Sequence, residues 1–459
     1  MPAGLVLILL LAFGCVAWWT ARSRAQALFT GRGSLKAMPN YHGWHMAVWT
    51  LVPALLGWMV WNAMAPGLIH AAILADPAAA GLPAMDMERD AIVNEAIAAA
   101  NSGGFGAFRP ESAALVQPVQ AILARFGWIG AGLVAVLALA GGAFGFTRVR
   151  REFPARTRVE RAVLGLLLAA SLVAILTTFG IIASLVFEAA RFFTFVSPAD
   201  FLFGTNWNPD PFAPITPEMG EKLGAVPLFW GTIFIGAIIA MAVAVPLGLM
   251  SAIYLTQYAS ARFRRWAKPA LEILAGVPTV VYGYFAALTV APMVRDLAGA
   301  IGIANPTTES ALAAGLVMGV MIIPFVSSMA DDSIAAVPQA MRDGSLAMGA
   351  TKSETIRRVL IPAALPGIVA GVMLAISRAI GETMIVYMAA GAAARLSANP
   401  FDSMTTVTYQ IARLLTGDGD FAHPSTLSAF ALGLVLFVVT LVLNIVALRV
   451  VRCFREAYE

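Results

Sequence analysis

The chain has 459 residues, of which 59% are hydrophobic and only 12% are charged, with a mean hydropathy of +0.80. Soluble domains carry about 25% charged residues, so this composition excludes an ordinary soluble protein and indicates a membrane protein. The net charge of +4 is too small to favour nucleic-acid binding. Two cysteines, Cys15 and Cys453, lie at opposite ends of the chain and do not suggest a disulfide framework.

Apolar runs long enough to cross about 30 Å of hydrocarbon recur along the chain. They predict an all-α membrane protein, a polytopic bundle of about nine transmembrane helices. In chain order the predicted spans are 3–19, 44–67, 123–146, 162–187, 227–256, 270–294, 311–335, 364–390 and 426–449.

Lysine and arginine are concentrated in alternate loops. The loops 20–43, 147–161, 257–269 and 336–363 hold eighteen of the 30 basic residues, whereas the loops between them hold seven. Basic loops stay on the cytoplasmic side of a membrane. The pattern therefore predicts an outside amino terminus and a cytoplasmic carboxyl terminus.

The same pattern divides the chain into two regions. Residues 1–158 hold three spans and an outside loop, 68–122, whose alanine and glutamate content favours short helices. The basic stretch "TRVRREFPARTRVER" then leads into a predicted six-span core at 159–459.

Residues for nucleotide or metal chemistry are scarce. None of the four lysines follows a glycine, whereas a P-loop needs Gly-Lys to cradle phosphates. We therefore expect no cofactor, and no ATP hydrolysis by this chain alone. His42 and His45 in "YHGWHM" have a spacing that can hold a metal. Because aromatic residues surround them at the mouth of a span, an interfacial belt is the better interpretation, and no metal is expected.

Two opposite charges interrupt the apolar run "AISRAIGETMIVYMAAG" at 375–391, namely Arg378 and Glu382. A charge at a bilayer centre costs about 2.5–3.5 kcal/mol on insertion scales, so the pair suggests a function. With Thr383, we expect it to line a substrate path on one helical face, because a guanidinium fork suits a tetrahedral oxyanion. The alternative is a mutual salt bridge at i, i+4 spacing that only neutralises both groups.

Three prolines fall in the middle of predicted spans. Pro246, Pro278 and Pro324 each remove a backbone donor and are expected to kink their helices. Broken helices are common around transport sites, although ordinary kinking is an equal alternative.

The predicted cytoplasmic loop 336–363 contains "MRDGSLAMGATKSETIRRVLIPAALPGI" across its end. A short helix with small residues, followed by a turn and an amphipathic helix, is suited to docking in the groove of another protein. The alternative is an amphipathic helix at the membrane interface.

This loop resembles the coupling loop of ABC importer permeases, which has the form E-A-A-x₃-G-x₉-I-x-L-P. Asp343, Gly344 and Ser345 fall at E-A-A and Gly349 falls at the glycine. The three positions of I-x-L-P that the motif specifies are occupied by Val359, Ile361 and Pro362. The spacing fits throughout, although the two alanines, the isoleucine and the leucine are replaced.

Within that superfamily, "SRAIGETMIVYMAAG", "GVPTVVYG" and "TNWNPD" resemble the phosphate-specific (Pst) permeases, PstC type. The resemblance covers residues 160–455 and not the amino-terminal extension. It implies an importer of inorganic phosphate in a bacterial inner membrane, working by alternating access. Its implied partners are a PstA-like second permease, a cytoplasmic ATPase dimer and a periplasmic phosphate-binding protein received by the loops 188–226 and 391–425.

Three alternatives remain open on the sequence. The first is a permease for another oxyanion, such as sulfate or molybdate. The second is a secondary anion transporter that needs no ATPase. The third is a membrane enzyme acting on lipid through Asp331 and Asp332, which are more typical of a helix end leading into the coupling loop.

Overall fold

The computed structural model describes residues 3–28, 37–83, 85–102, 109–303, 306–417 and 419–455. In chain order the helices are α1 Ala3–Ala27, α2 Pro39–Leu74, α3 Asp86–Asn101, α4 Pro110–Thr147, α5 Ala155–Phe192, α6 Pro198–Phe203, α7 Val226–Tyr258, α8 Ala261–Gly276, α9 Thr279–Ala300, α10 Ala311–Ala335, α11 Gln339–Ala347, α12 Lys352–Ile380, α13 Met384–Ala389, α14 Val407–Thr416 and α15 Pro424–Arg455. In these ranges the β-structure is limited to one isolated bridge, between Trp207 and Leu223.

The membrane spans follow the predicted segments closely. Among the described residues, seven helices are long and apolar enough to cross a membrane, and α8 with α9 gives an eighth if that bent pair is one span. These eight overlap eight of the nine predicted spans, with the largest shift at 364–390, where the helix is Lys352–Ile380. The remaining segment, 3–19, lies in α1. The prediction of a polytopic helical membrane protein is therefore confirmed.

The chain forms two compact units, residues 1–176 and 177–459, whose boundary falls within α5. The division predicted at 158/159 from the charge pattern stays a prediction.

In the first unit, α2 packs against both α1 and α4. The α2–α4 contact depends on small residues, since a Cβ on Gly141 would collide with the carbonyl oxygen of Trp49. Close backbone approach through glycine is a common device of membrane helices, where packing replaces the hydrophobic effect between helices. The predicted outside loop 68–122 contains α3, which packs on α4 through buried apolar side chains that include Ile92, Val93 and Leu115.

In the second unit, α10 is the most enclosed candidate span and packs along α7 and α12. At Gly319 of α10 a Cβ would lie 2.9 Å from the Ala240 carbonyl oxygen, so a side chain there would push the two helices apart. Ile235, Met318 and Ile322 are fully buried in the cluster around this contact. The second unit therefore has a packed apolar core, and α12, which carries Arg378, packs against it.

Candidate functional site

The predicted span 364–390 is not one helix, and this changes the geometry of the charged pair. α12 ends at Ile380, residues 381–383 are non-helical, and α13 begins at Met384. The predicted common helical face for Arg378, Glu382 and Thr383 is therefore wrong, because only Arg378 belongs to α12. What these residues do stays a prediction.

The side chain of Glu382 caps the helix that follows the break. Its Oε1 accepts hydrogen bonds from the backbone N–H of Met384 at 3.0 Å and of Ile385 at 3.4 Å. These two N–H groups open a new helix and have no carbonyl of their own to bond. A carboxylate is a good partner for them because the start of a helix carries a partial positive charge.

Arg378 and Glu382 occupy different surroundings. Glu382 is only 9% exposed, whereas Arg378 lies in the last turn of α12 on the surface of this chain. Within the described ranges Arg378 forms no ion pair or hydrogen bond, and the carboxylate faces backbone N–H groups instead. The mutual salt bridge considered from the sequence is therefore not the arrangement found.

Buried threonines attach the break to two neighbouring helices. Thr408 Oγ1 donates to the Glu382 carbonyl oxygen at 2.7 Å and lies 3.1 Å from Thr406 Oγ1. Thr406 caps α14 by accepting from the Tyr409 N–H, and the Val407 N–H donates to Thr232 of α7 at 3.0 Å. The geometry around Glu382 is thus set by side chains far away in the sequence.

Sequence reasoning missed this threonine cluster, because residues 391–425 were predicted to be an outside loop. Thr405, Thr406, Thr408 and Gln410 are all less than 9% exposed, and α14 packs against α15 and the start of α7. The signal was present in "MTTVTYQ", where three threonines among apolar residues follow at close spacing. Polar residues so close together in an apolar environment need one another as hydrogen-bond partners.

The three prolines differ in their effect. Pro278 lies between α8 and α9, where the chain bends by 88°. Pro246 and Pro324 lie inside α7 and α10, which both continue through them. The kinks predicted at these two positions stay predictions.

Asp331, considered above as a catalytic candidate, is a buried ion-pair partner. Its carboxylate accepts from Arg264 Nη2 at 2.9 and 3.1 Å and from Lys268 Nζ at 2.6 Å, and it is only 4% exposed. Both cations lie on α8, so the cluster attaches α8 to the end of α10. Asp332 is exposed beside it. Both carboxylate oxygens of Asp331 are engaged by these cations, so the geometry favours a structural role over the catalytic alternative.

The coupling-loop residues form a short helix, a turn and the start of α12. Asp343, Gly344 and Ser345 lie in α11, and Gly349 makes the turn with a φ of 85°. Thr351 and Glu354 then cap α12 reciprocally, and Ser345 Oγ lies 3.0 Å from Thr355 Oγ1.

The two ends of the motif differ in exposure. No residue of α11 is buried, and its apolar side chains are open to solvent, with Met348 just beyond it 89% exposed. Val359 and Ile361 are half-buried, and Pro362 is exposed. The loop therefore has the form expected of a docking element, with one end anchored in α12.

Comparisons with known proteins agree with this architecture. Residues 244–456 match the family described as "Binding-protein-dependent transport system inner membrane component", and residues 7–177 match "Phosphate ATP-binding cassette transporter". The "Phosphate transport system permease protein PstC" of Mesorhizobium japonicum is 36% identical over 262 residues, covering 54% of this chain and 76% of that protein.

Two further relatives show the same breadth. The "Probable ABC transporter permease protein YqgH" of Bacillus subtilis is 35% identical over 245 residues, covering 53% of this chain and 75% of that protein. The "Probable phosphate transport system permease protein PstC" of Methanocaldococcus jannaschii is 32% identical over 247 residues, covering 51% of this chain and 78% of that protein.

The helical core, the coupling loop and these matches define the class as a multi-pass inner-membrane permease of an ABC transporter. Within that class, the chain belongs to the PstC family of phosphate transport permeases. Its amino-terminal region adds a segment that matches a phosphate ABC transporter family of its own.

Proposed function

We propose that the chain carries inorganic phosphate across the bacterial inner membrane as one permease subunit of an ATP-driven importer. The observation that carries the proposal is its membership of the PstC family, over alignments that cover three quarters of the named relatives. A secondary transporter has no comparable support, because the binding-protein-dependent transport family matches residues 244–456.

Arg378 is the proposed counter-charge for the anion in transit. Charged residues in membrane spans face a cavity or a partner, because a guanidinium in lipid is costly. Since Arg378 is exposed on this chain, we infer that its face of α12 lines a path completed by a second, PstA-like permease. A guanidinium offers several fixed donors that replace the water a phosphate loses on entering.

Glu382 and Thr383 would complete the polar surroundings of the path. The Glu382 Oε1 accepts from backbone N–H groups, and among the described residues the carboxylate forms no ion pair with Arg378. Within the described residues only Oε1 accepts a hydrogen bond, so Oε2 can accept one from a protonated oxyanion. Thr383, half-buried at the start of α13, adds a hydroxyl at the same break.

Energy would reach the path through α12. This helix runs from the coupling loop at Lys352 to Arg378, about 39 Å at 1.5 Å per residue. We infer that α11, with exposed Met341, Leu346 and Met348, docks on a cytoplasmic ATPase dimer. The reciprocal cap at Thr351 would then transmit movement of α11 to α12 and alternate the access of the path.

The outer side would receive a phosphate-loaded periplasmic binding protein. The proposed orientation has a periplasmic amino terminus and a cytoplasmic carboxyl terminus, so the loops 188–226 and 391–425 lie outside. Because residues 404–410 are mostly buried, contact with the binding protein falls on the other residues of the second loop.

The test is uptake of radiolabelled phosphate in cells that carry Arg378→Ala, with Arg378→Lys as the charge-conserving variant. We expect Arg378→Ala to abolish uptake while the chain still assembles with its ATPase. Partial uptake by Arg378→Lys would indicate that the positive charge contributes separately from the paired donors of the guanidinium group. Normal uptake by Arg378→Ala would refute the assigned role, and strong competition by sulfate or molybdate against wild type would refute the substrate.

A further inference from the structure

A cavity of about 640 Å³ lies within the first unit, between α2, the end of α4 and the first half of α5. Its basic lining residues, Arg148, Arg158 and Arg161, lie just outside the predicted spans 123–146 and 162–187, so we place this end of the cavity, its mouth, at one face of the membrane. Its lining residues belong to 45–56, 144–153 and 158–169. None of them takes part in the proposed phosphate path, which lies in the second unit.

The charge at the mouth of the cavity is entirely positive. Arg148, Arg158 and Arg161 line it, and its lining includes no aspartate or glutamate. Arg148 stacks over the ring of Phe144 at 4.9 Å. In the part of the chain that the structure describes, Arg158 and Arg161 form no ion pair, because the nearby carboxylate of Glu160 binds Arg156 at 2.7 Å. Among the described residues, the lining thus carries three guanidinium groups and no carboxylate.

Apart from His45, the rest of the lining is apolar. Val48, Val52 and Leu56 line it from α2, and Leu166 and Ala169 line it from α5. From residue 45 to 56, or from 158 to 169, eleven residues of helix extend about 16 Å. The apolar walls therefore continue well beyond the arginines, in the direction of the bilayer centre.

We propose that this cavity binds one anionic phospholipid, with its phosphate on the three arginines and an acyl chain along the apolar wall. The charge selects an anion, since guanidinium groups pair with phosphate oxygens through several hydrogen bonds. The long apolar lining favours a lipid over free inorganic phosphate, because a phosphate ion would contact the arginines and leave the apolar part empty. Basic pockets between helices at a membrane surface suit anionic headgroups for these reasons.

The chain offers matched variants for each part of the site. Arg158→Gln with Arg161→Gln removes two charges at the mouth, and Arg150→Gln with Arg151→Gln removes two from the same segment outside the lining. Gly165→Trp obstructs the apolar part, because a Cβ at Gly165 meets nothing within 4 Å. Gly180→Trp is its control, equally open and on the same helix, but outside the cavity.

The experiment is a titration of the purified full-length chain with phosphatidylglycerol or phosphatidylcholine, followed by native mass spectrometry. We expect wild type to prefer phosphatidylglycerol. The arginine pair in the lining should weaken that binding roughly 30-fold, since each arginine near an anionic lipid contributes about a fivefold factor. Gly165→Trp should also weaken it, whereas the 150/151 pair and Gly180→Trp should leave it unchanged.

Two results would overturn the assignment. Equal binding of both lipids, or an equal loss of phosphatidylglycerol binding in the two double-arginine variants, would show that the cavity does not select lipids by headgroup charge. Displacement of phosphatidylglycerol by inorganic phosphate, together with normal binding by Gly165→Trp, would show a free-phosphate site in place of a lipid site.

Discussion

The Glu382 carboxylate caps the start of α13 directly after the break, so substitution of Glu382 gives the sharpest test of the site. Glu382→Ala removes the acceptor of two backbone N–H groups at a position that is 9% exposed. Hydrogen bonds to charged groups contribute about 1.5–3 kcal/mol each. Because the bond to Ile385 is long, at 3.4 Å, we count the pair as about 2–4 kcal/mol lost.

Glu382→Gln separates geometry from charge. The amide oxygen of glutamine can still accept from the N–H of Met384. We therefore expect a loss of about 1 kcal/mol in the free energy of unfolding, which is the difference between a charged and a neutral hydrogen bond. The assay measures urea unfolding of the purified chain in detergent micelles by tryptophan fluorescence, alongside phosphate uptake in cells. If Glu382 only shapes the break, glutamine should keep most uptake and alanine should lose it.

The opposite pattern has a separate meaning. If glutamine folds as stably as wild type but abolishes uptake, then the charge of Glu382 acts on the anion directly. If Glu382→Ala unfolds at the same urea concentration as wild type and transports normally, then the inference that this carboxylate holds the break is wrong.

Three further predictions concern the ion pairs of Asp331, which attach α8 to the end of α10, and the coupling loop. Asp331→Ala should cost about 1–3 kcal/mol in urea unfolding, because its cationic partners are over one-third exposed and can rehydrate; unchanged stability would contradict a structural clamp. Met348→Asp should reduce co-purification of the ATPase without changing the folded chain. Ser353→Asp, at an exposed position of the same loop, should leave co-purification unchanged. Equal co-purification by both variants would argue against docking at Met348. Gly349→Ala should destabilise the folded chain by about 1–2 kcal/mol, because φ is positive at this turn. Gly344 is helical and equally open, so Gly344→Ala should stabilise the chain by up to about 1 kcal/mol. A change of the same sign for both variants would refute the turn.

The sequence by itself determined the membrane class and most of the spans. The length of an apolar run is set by the thickness of the bilayer, and that constraint is local. The coupling loop was also predictable, because its glycine, cap and proline act on their immediate neighbours. Gly349 and the Thr351–Glu354 cap lie where the loop spacing placed a turn and a new helix.

Only the tertiary structure decided how the charged residues are arranged. The apolar run continues on both sides of Gly381, so hydrophobic periodicity did not show that α12 ends there, although glycine is common just after the end of a helix. The helix after the break is capped by the Glu382 side chain, and the Glu382 carbonyl oxygen accepts a hydrogen bond from Thr408, 26 residues further along. That threonine is buried because a predicted outside loop turns inward as α14. Contacts between distant segments fix these positions, so Glu382 is buried, whereas Arg378 is exposed and has no ion-pair partner among the described residues.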